Sequence, residues 1–283
     1  MSATHLPDYA GGSIVNLVQS IATACGSSSR PYPPLPALSA AQLGRARHIV
    51  LLVIDGLGQR TLARHASSPH LQHHLLGSMT SVFPSTTASA ITTFMTGLAP
   101  AQHGLTGWYM HLDEVDQTLA ILPLTPRWGP PRLSPAALPS RLFEHPSLFQ
   151  RLDRESWVVA PQSIVGSAFN AWHSRAAQTR AYSSVAEMFA CLGELLQETN
   201  RSRYIYAYYP DLDSCSHHYG TDSRQAQQTL STVDTLFGEL LRKLRGSNTW
   251  VLLTADHGFI DSPPRRVISL DDHPQLAALL LRP

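Results

Sequence analysis

Charge is scarce in this chain. Asp, Glu, Lys and Arg make up 14% of its 283 residues and nearly cancel, leaving a formal net charge of +1. Such a balance exerts no long-range pull on nucleic acid or on an anionic membrane, so neither is expected as a partner. A phosphate-bearing ligand would need positive charge supplied locally, and bound cations are the natural source. Cysteine is sparse too. Cys25, Cys191 and Cys215 form no C-x-x-C pair and imply no disulfide framework. No apolar run approaches the roughly 18 residues of a membrane span. The opening MSATHLPDYAGGSIVNLVQS lacks a basic stretch leading into a long apolar core, so no signal peptide is read and a cytoplasmic protein is expected. There is no internal repeat and no low-complexity tail.

The chain does have material for a core, since 43% of its residues are hydrophobic. That suffices for one large α/β domain or two smaller ones. We read a single domain over residues 1–283, with an N-terminal extension (1–46) and a Pro-rich insertion (122–135). The Pro/Ser-rich stretch 27–39 reads as a linker or surface loop. Short apolar runs at 48–56, 156–161, 204–211 and 249–258 read as buried strands. Amphipathic patterns at 184–199 and 222–245 read as helices. The segment 88–97 follows Pro84-Ser85-Thr86-Thr87 and ends at Gly97, which suits a capped helix. Strands and helices alternate, so the expected fold is α/β: a doubly wound, mostly parallel sheet with helices on both faces.

Three of these strands end in polar residues. The first ends in Asp55, the strand near 204–209 leads to Asp213 and His217, and the last ends in Asp256 and His257. Open parallel sheets place ligand sites beyond the carboxyl ends of their strands. Carboxylate oxygen and imidazole nitrogen together suit Zn²⁺ and related divalent ions. Asp213 and His217 lie four residues apart, so one helical turn or a tight loop can aim both at one ion. A hydroxyl is a poor nucleophile unless metal coordination favours its alkoxide. Thr87, at the start of the expected helix, also lies where free backbone N–H groups can hold a phosphate. Each feature has a plain structural alternative: Asp-Gly often makes a turn, and Ser/Thr clusters before helices often cap them. Their joint occurrence at strand ends is what points to a metal site.

The pieces VIDGLG, FPSTTASAITTFMTGLAPAQHG, PDLDSCSHHYG and LLTADHGF, spread over residues 48 to 273, resemble the type I phosphodiesterase/nucleotide pyrophosphatase branch of the alkaline phosphatase superfamily. The resemblance implies an alkaline-phosphatase-like fold and a site holding two divalent ions, zinc or, as the alternative, manganese. It implies that Asp55, Thr87, Asp256 and His257 surround one ion, and Asp213, His217 and His273 the other. Thr87 is preferred to Thr86 because its distance to Gly97 matches the family spacing, and Gly220 completes the spacing that selects Asp213 and His217. Relatives often carry Asn three residues after the nucleophile, whereas here the position is Ala90, so one phosphate contact is missing or supplied elsewhere. Relatives also usually continue beyond the point where residues 275–283 read as a helix cut short.

The function expected is metal-dependent hydrolysis of a phosphodiester or pyrophosphate bond through a covalent threonine intermediate. The substrate expected is a small phosphate compound, nucleotides among the candidates. The alternatives are a phosphomonoester or phosphonate hydrolase on the same metal core, or a non-catalytic binding protein retaining the fold. Sulfatase chemistry is disfavoured because no C-x-P-x-R segment is present. His65, His70, His73 and His74 sit in a polar segment and are expected to be solvated, His111, His145 and His173 have no partner spacing, and all seven are expected outside the site. Cys215 is expected to be a packed residue, while Trp108 and Tyr109 either line a pocket or fill the core.

Overall fold

The computed structural model describes residues 5–65, 68–197, 200–260, 262, 265 and 267–280. The described residues form eight strands: β1 (His48–Ile54), β2 (Tyr109–Leu112), β3 (Gln117–Ala120), β4 (Thr125–Pro126), β5 (Glu155–Pro161), β6 (Gln178–Tyr182), β7 (Arg203–Tyr209) and β8 (Thr249–Thr254). Five of them form one sheet in the order β6-β5-β7-β1-β8, and every pairing in it is parallel. The strand centres match the expected apolar runs. The ends at 54, 209 and 254 come earlier than expected because the polar residues beyond them turn away into the site.

Side-chain alternation along β1 divides its residues between two apolar layers. Ile49, Leu51 and Val53 enter one layer, and Val50, Leu52 and Ile54 the other. All seven residues of β1 are buried, as expected of a strand covered on both faces. Helices Ile14–Ala24 and Thr87–Thr96 contribute Val15, Val18, Ala90 and Phe94 to the first layer. Helices Val185–Gln197 and Arg224–Lys243 contribute Leu192, Leu195, Leu230 and Phe237 to the second. This is the doubly wound arrangement expected of the alternating pattern.

Residues 5–46, within the expected extension, hold more structure than that word suggests. Helix Ile14–Ala24 is buried against the sheet, and Ser13 bridges Thr80 ahead of the helix Thr87–Thr96. Leu38, within the stretch read as a linker, is buried in the same layer. The Pro-rich stretch contributes β4 to a three-stranded antiparallel sheet with β2 and β3, and its Leu124 is buried. The Pro-rich stretch was hard to read because short elements rich in Pro show little periodicity, whereas Ile14, Leu17, Val18 and Ile21 do recur at helical spacing. The helix expected at 184–199 spans Val185–Gln197, with 198–199 outside the described residues. Among the described residues, no helix is long and apolar enough to cross a membrane.

Candidate functional site

Strands β7, β1 and β8 are adjacent and parallel, so their carboxyl ends open onto one edge. Register aligns Val53 with both Tyr208 and Thr254. Asp55 leaves β1 still joined to its neighbour, its N–H donating to Tyr209 O at 2.9 Å. Gly56 then turns the chain at φ +73°, a conformation that favours glycine. Beyond β7, helix Asp211–Tyr219 carries Asp213 in its first turn and His217 one turn later, with His217 Nε2 lying 3.5 Å from Asp213 Oδ1. Beyond β8 come Asp256 and His257. The β1 and β8 turns pack backbone to backbone, and a Cβ on Gly58 would stand 2.6 Å from Gly258 Cα.

His257 Nε2 sits amid the acidic groups. It lies 3.3 Å from Asp55 Oδ1, 3.6 Å from Asp256 Oδ2 and 3.9 Å from Asp213 Oδ1. These three oxygens are buried and have no hydrogen-bond partner among the described residues. The other oxygens of the two deepest carboxyl groups are engaged. Asp256 Oδ1 accepts the N–H of Gly56 at 3.1 Å and that of His257 at 2.8 Å, and Asp55 Oδ2 accepts the hydroxyl of Tyr208. Burial, reinforced by Asp256 and Asp213, holds the Asp55 carboxyl well above the usual carboxylate range. Burial also raises that of Asp213, against the opposing pull of His217 and His257. Three crowded, desolvated acids with spare inward oxygens are unfavourable by themselves and fit a cation. Asp55, Asp213 and His257 offer ligand atoms within 4.8 Å of one another, a candidate metal-binding group.

Thr87 faces this group. It is the first residue of helix Thr87–Thr96, behind an extended Thr86, and its Oγ1 lies 3.1 Å from His257 Nε2. The first N–H accepted within this helix is that of Ala90, by Thr86 O at 2.9 Å; of the three residues before it, Ala88 and Ser89 are buried and Thr87 is the one partly exposed. The helix is buried from Ala88 to Thr96. Its threonines remain satisfied there because Thr92 and Thr96 donate to the carbonyls of Ala88 and Thr92, each at 2.7 Å. Ala90 is packed in the apolar layer.

Of the seven site residues read from the sequence, Asp55, Thr87, Asp213, Asp256 and His257 thus converge, and His217 stands at their rim with a largely exposed ring. The cluster joins Asp213, expected at one ion, to Asp55 and His257, expected at the other. His273 has no described contact with these residues: it is exposed, follows the 3-10 turn Leu270–Asp272, and its described hydrogen bonds are backbone ones to Leu270, Leu276 and Ala277. Two neighbours of the site were not singled out from the sequence. Tyr208 touches Asp55, and Phe259 meets the rings of both His217 and His257, centroids 5.2 and 5.8 Å away. For Tyr208 the alternation in YIYAYY was the available signal, since it puts residues 204, 206 and 208 on one face. Trp108 and Tyr109 are half exposed rather than core residues, and the Arg127 guanidinium stacks over Tyr109 at 4.7 Å.

Comparison with known proteins gives concordant results. Residues 49–282 match the family model described as type I phosphodiesterase / nucleotide pyrophosphatase. An uncharacterized pyrophosphatase/phosphodiesterase of Schizosaccharomyces pombe is 26% identical over 143 residues, which are 44% of this chain and 30% of that protein. The solved structure of murine ectonucleotide pyrophosphatase / phosphodiesterase 5 superposes with a TM-score of 0.60 at 20% identity, covering 79% of this chain and 60% of that one. Phosphonoacetate hydrolase from Sinorhizobium meliloti superposes with a TM-score of 0.53 at 18% identity, covering 76% of this chain and 57% of that one. The structural matches share the fold, and the matched regions span less than two thirds of the length of these relatives.

Proposed function

Because the chain belongs to the type I phosphodiesterase/nucleotide pyrophosphatase family, we propose that it is a metal-dependent hydrolase of phosphodiester or pyrophosphate bonds, with Thr87 as nucleophile. The observation that carries this reading is the convergence of Thr87 Oγ1 and three unpartnered carboxyl oxygens on His257 Nε2. The residues to hold a pair of divalent ions, zinc or manganese, are Asp55, Asp213, Asp256, His217 and His257. Five such donors exceed the usual four of one tetrahedral ion. When bound, such ions neutralise phosphate charge and favour the alkoxide of a nearby hydroxyl.

The chain's own groups supply the rest. The amino end of helix Thr87–Thr96 would favour the phosphoryl oxygens through its positive dipole end, and its first residue presents the hydroxyl. The Thr87 oxygen attacks phosphorus, and the P–O bond to the leaving group breaks on the opposite side. Water then cleaves the phosphorus–threonine bond and restores the hydroxyl. An inactive threonine-to-alanine form of the murine relative was solved in complex with AMP, which supports a threonine in this role and nucleotides in the substrate screen.

The test is Thr87→Ala with the metal-loaded protein. We expect cation binding to persist while hydrolysis of bis-p-nitrophenyl phosphate falls by at least about 10³-fold. Turnover near that of the wild type rejects Thr87 as nucleophile. Rates of the wild type on diesters, nucleotides, monoesters and phosphonates separate diesterase from monoesterase or phosphonatase action, and no turnover on any of them favours the binding-protein alternative.

A further inference from the structure

Each of the two deepest carboxyl groups has one oxygen tied down and one left over. For Asp256 the restraint is the backbone N–H of Gly56 and of His257 on Oδ1. For Asp55 it is a side chain, the hydroxyl of Tyr208 on Oδ2. The spare oxygens, Asp55 Oδ1 and Asp256 Oδ2, stand 3.3 and 3.6 Å from His257 Nε2. Tyr208 is itself firmly held. It is buried in β7, paired in register with Val53 of β1, and its main-chain oxygen accepts the hydroxyl of Tyr182, at the end of β6, at 2.7 Å. A line of contacts thus runs from β6 through β7 to the carboxyl group that ends β1.

We propose that Tyr208 is a positioning residue whose hydroxyl orients Asp55 so that a single oxygen faces the cation. The inference rests on the metal-binding reading above. A carboxyl group held by one donor has chosen its rotamer before the ion arrives, so less freedom is lost on binding and the free oxygen is already aimed. Tyr208 makes no contact with substrate in this scheme and acts through Asp55. The same strand provides a control. Tyr204 and Tyr206 share the face of Tyr208, but their hydroxyls are buried with no hydrogen-bond partner among the described residues. Of these three tyrosines, Tyr208 is the one whose hydroxyl bonds a carboxyl group of the site.

The experiment is calorimetric titration of the metal-stripped protein with Zn²⁺ alone and with Mn²⁺ alone. Tyr208→Phe keeps the ring and loses the donor, and is expected to bind roughly 10- to 100-fold more weakly than the wild type. Tyr206→Phe removes the same atom from the same face and is expected to bind with wild-type affinity. Far-UV circular dichroism of the metal-free proteins checks that each variant folds. Wild-type affinity in Tyr208→Phe overturns the proposal, as does an equal loss in Tyr206→Phe. Should Tyr208→Phe not fold, Tyr182→Phe takes its place, with a several-fold loss expected and wild-type affinity overturning the proposal. No cation binding by the wild type would instead reject the metal-binding reading itself.

Discussion

His257 Nε2 is the atom around which the site is arranged, because a hydroxyl and three carboxyl oxygens all lie within 3.9 Å of it. The two remaining histidines differ sharply in placement. His217 is one helical turn from Asp213, its Nε2 3.5 Å from Asp213 Oδ1, whereas His273 follows a separate turn in the C-terminal segment. We therefore expect His217→Ala to weaken Zn²⁺ binding by about tenfold or more, as losing a ligand should cost at least as much as losing a ligand's partner. His273→Ala should change it less. Titration of the two variants side by side checks the order, and a larger loss in His273→Ala would bring that residue into the site. Ligand types and their spacing were legible at this scale, since Asp213-Ser-Cys-Ser-His217 carries its geometry in its own helix. The partner of Asp55 was not, because the Tyr208 hydroxyl belongs to a strand 153 residues away in sequence.

Among elements, the turns after β1 and β8 depend on close backbone approach. Their contact at Gly58 and Gly258 leaves no room for a side chain on either turn. Gly58→Ala should push the two turns apart, destabilising the fold by about 1–3 kcal/mol as overpacking does. It should also weaken cation binding, because Asp55 and Asp256 ride on those turns. Chemical denaturation together with metal titration checks both effects, and wild-type behaviour in both would show that the turns adapt. The helix Thr87–Thr96 was legible in outline from its start at Thr86 and its stop at Gly97, which caps it at φ +72°. The helix Ile14–Ala24 carries helical spacing in its own residues, but its place was not legible, because that depends on packing against a sheet formed by residues far along the chain.

Across the whole molecule, acid should be destabilising through two histidines remote in role from the metal ligands. His103 and His173 are buried, and burial lowers each from the ordinary 6.5 to about 4. The folded protein thus resists protonation while the unfolded chain accepts it. Their contribution to stability is complete above pH 6.5 and is lost as pH drops toward 4, with a slope of about 1.4 kcal/mol per pH unit for each histidine in that window, while the raised Asp55 carboxyl of the metal-free protein contributes with the opposite sign. His173 packs between Phe143 and Phe169, ring centroids 4.5 and 4.2 Å away, so Phe is tolerable there. Urea denaturation from pH 7 to about pH 4 should show a shallower fall in His173→Phe than in the wild type, and an unchanged slope would show that His173 protonates as freely in the fold as out of it.

The sequence by itself determined the alternation of apolar strands and amphipathic helices, the polar residues at the strand ends, the i, i+4 pair on its helix and the threonine at a helix start. All of these are written in local periodicity, caps and spacing, which neighbouring residues impose on one another. The tertiary structure decided that β7, β1 and β8 lie side by side, and with that order came the meeting of Asp55, Asp213 and Asp256 around His257. Strand order is set by burying two apolar faces at once through contacts between distant segments, so no single stretch of chain encodes it.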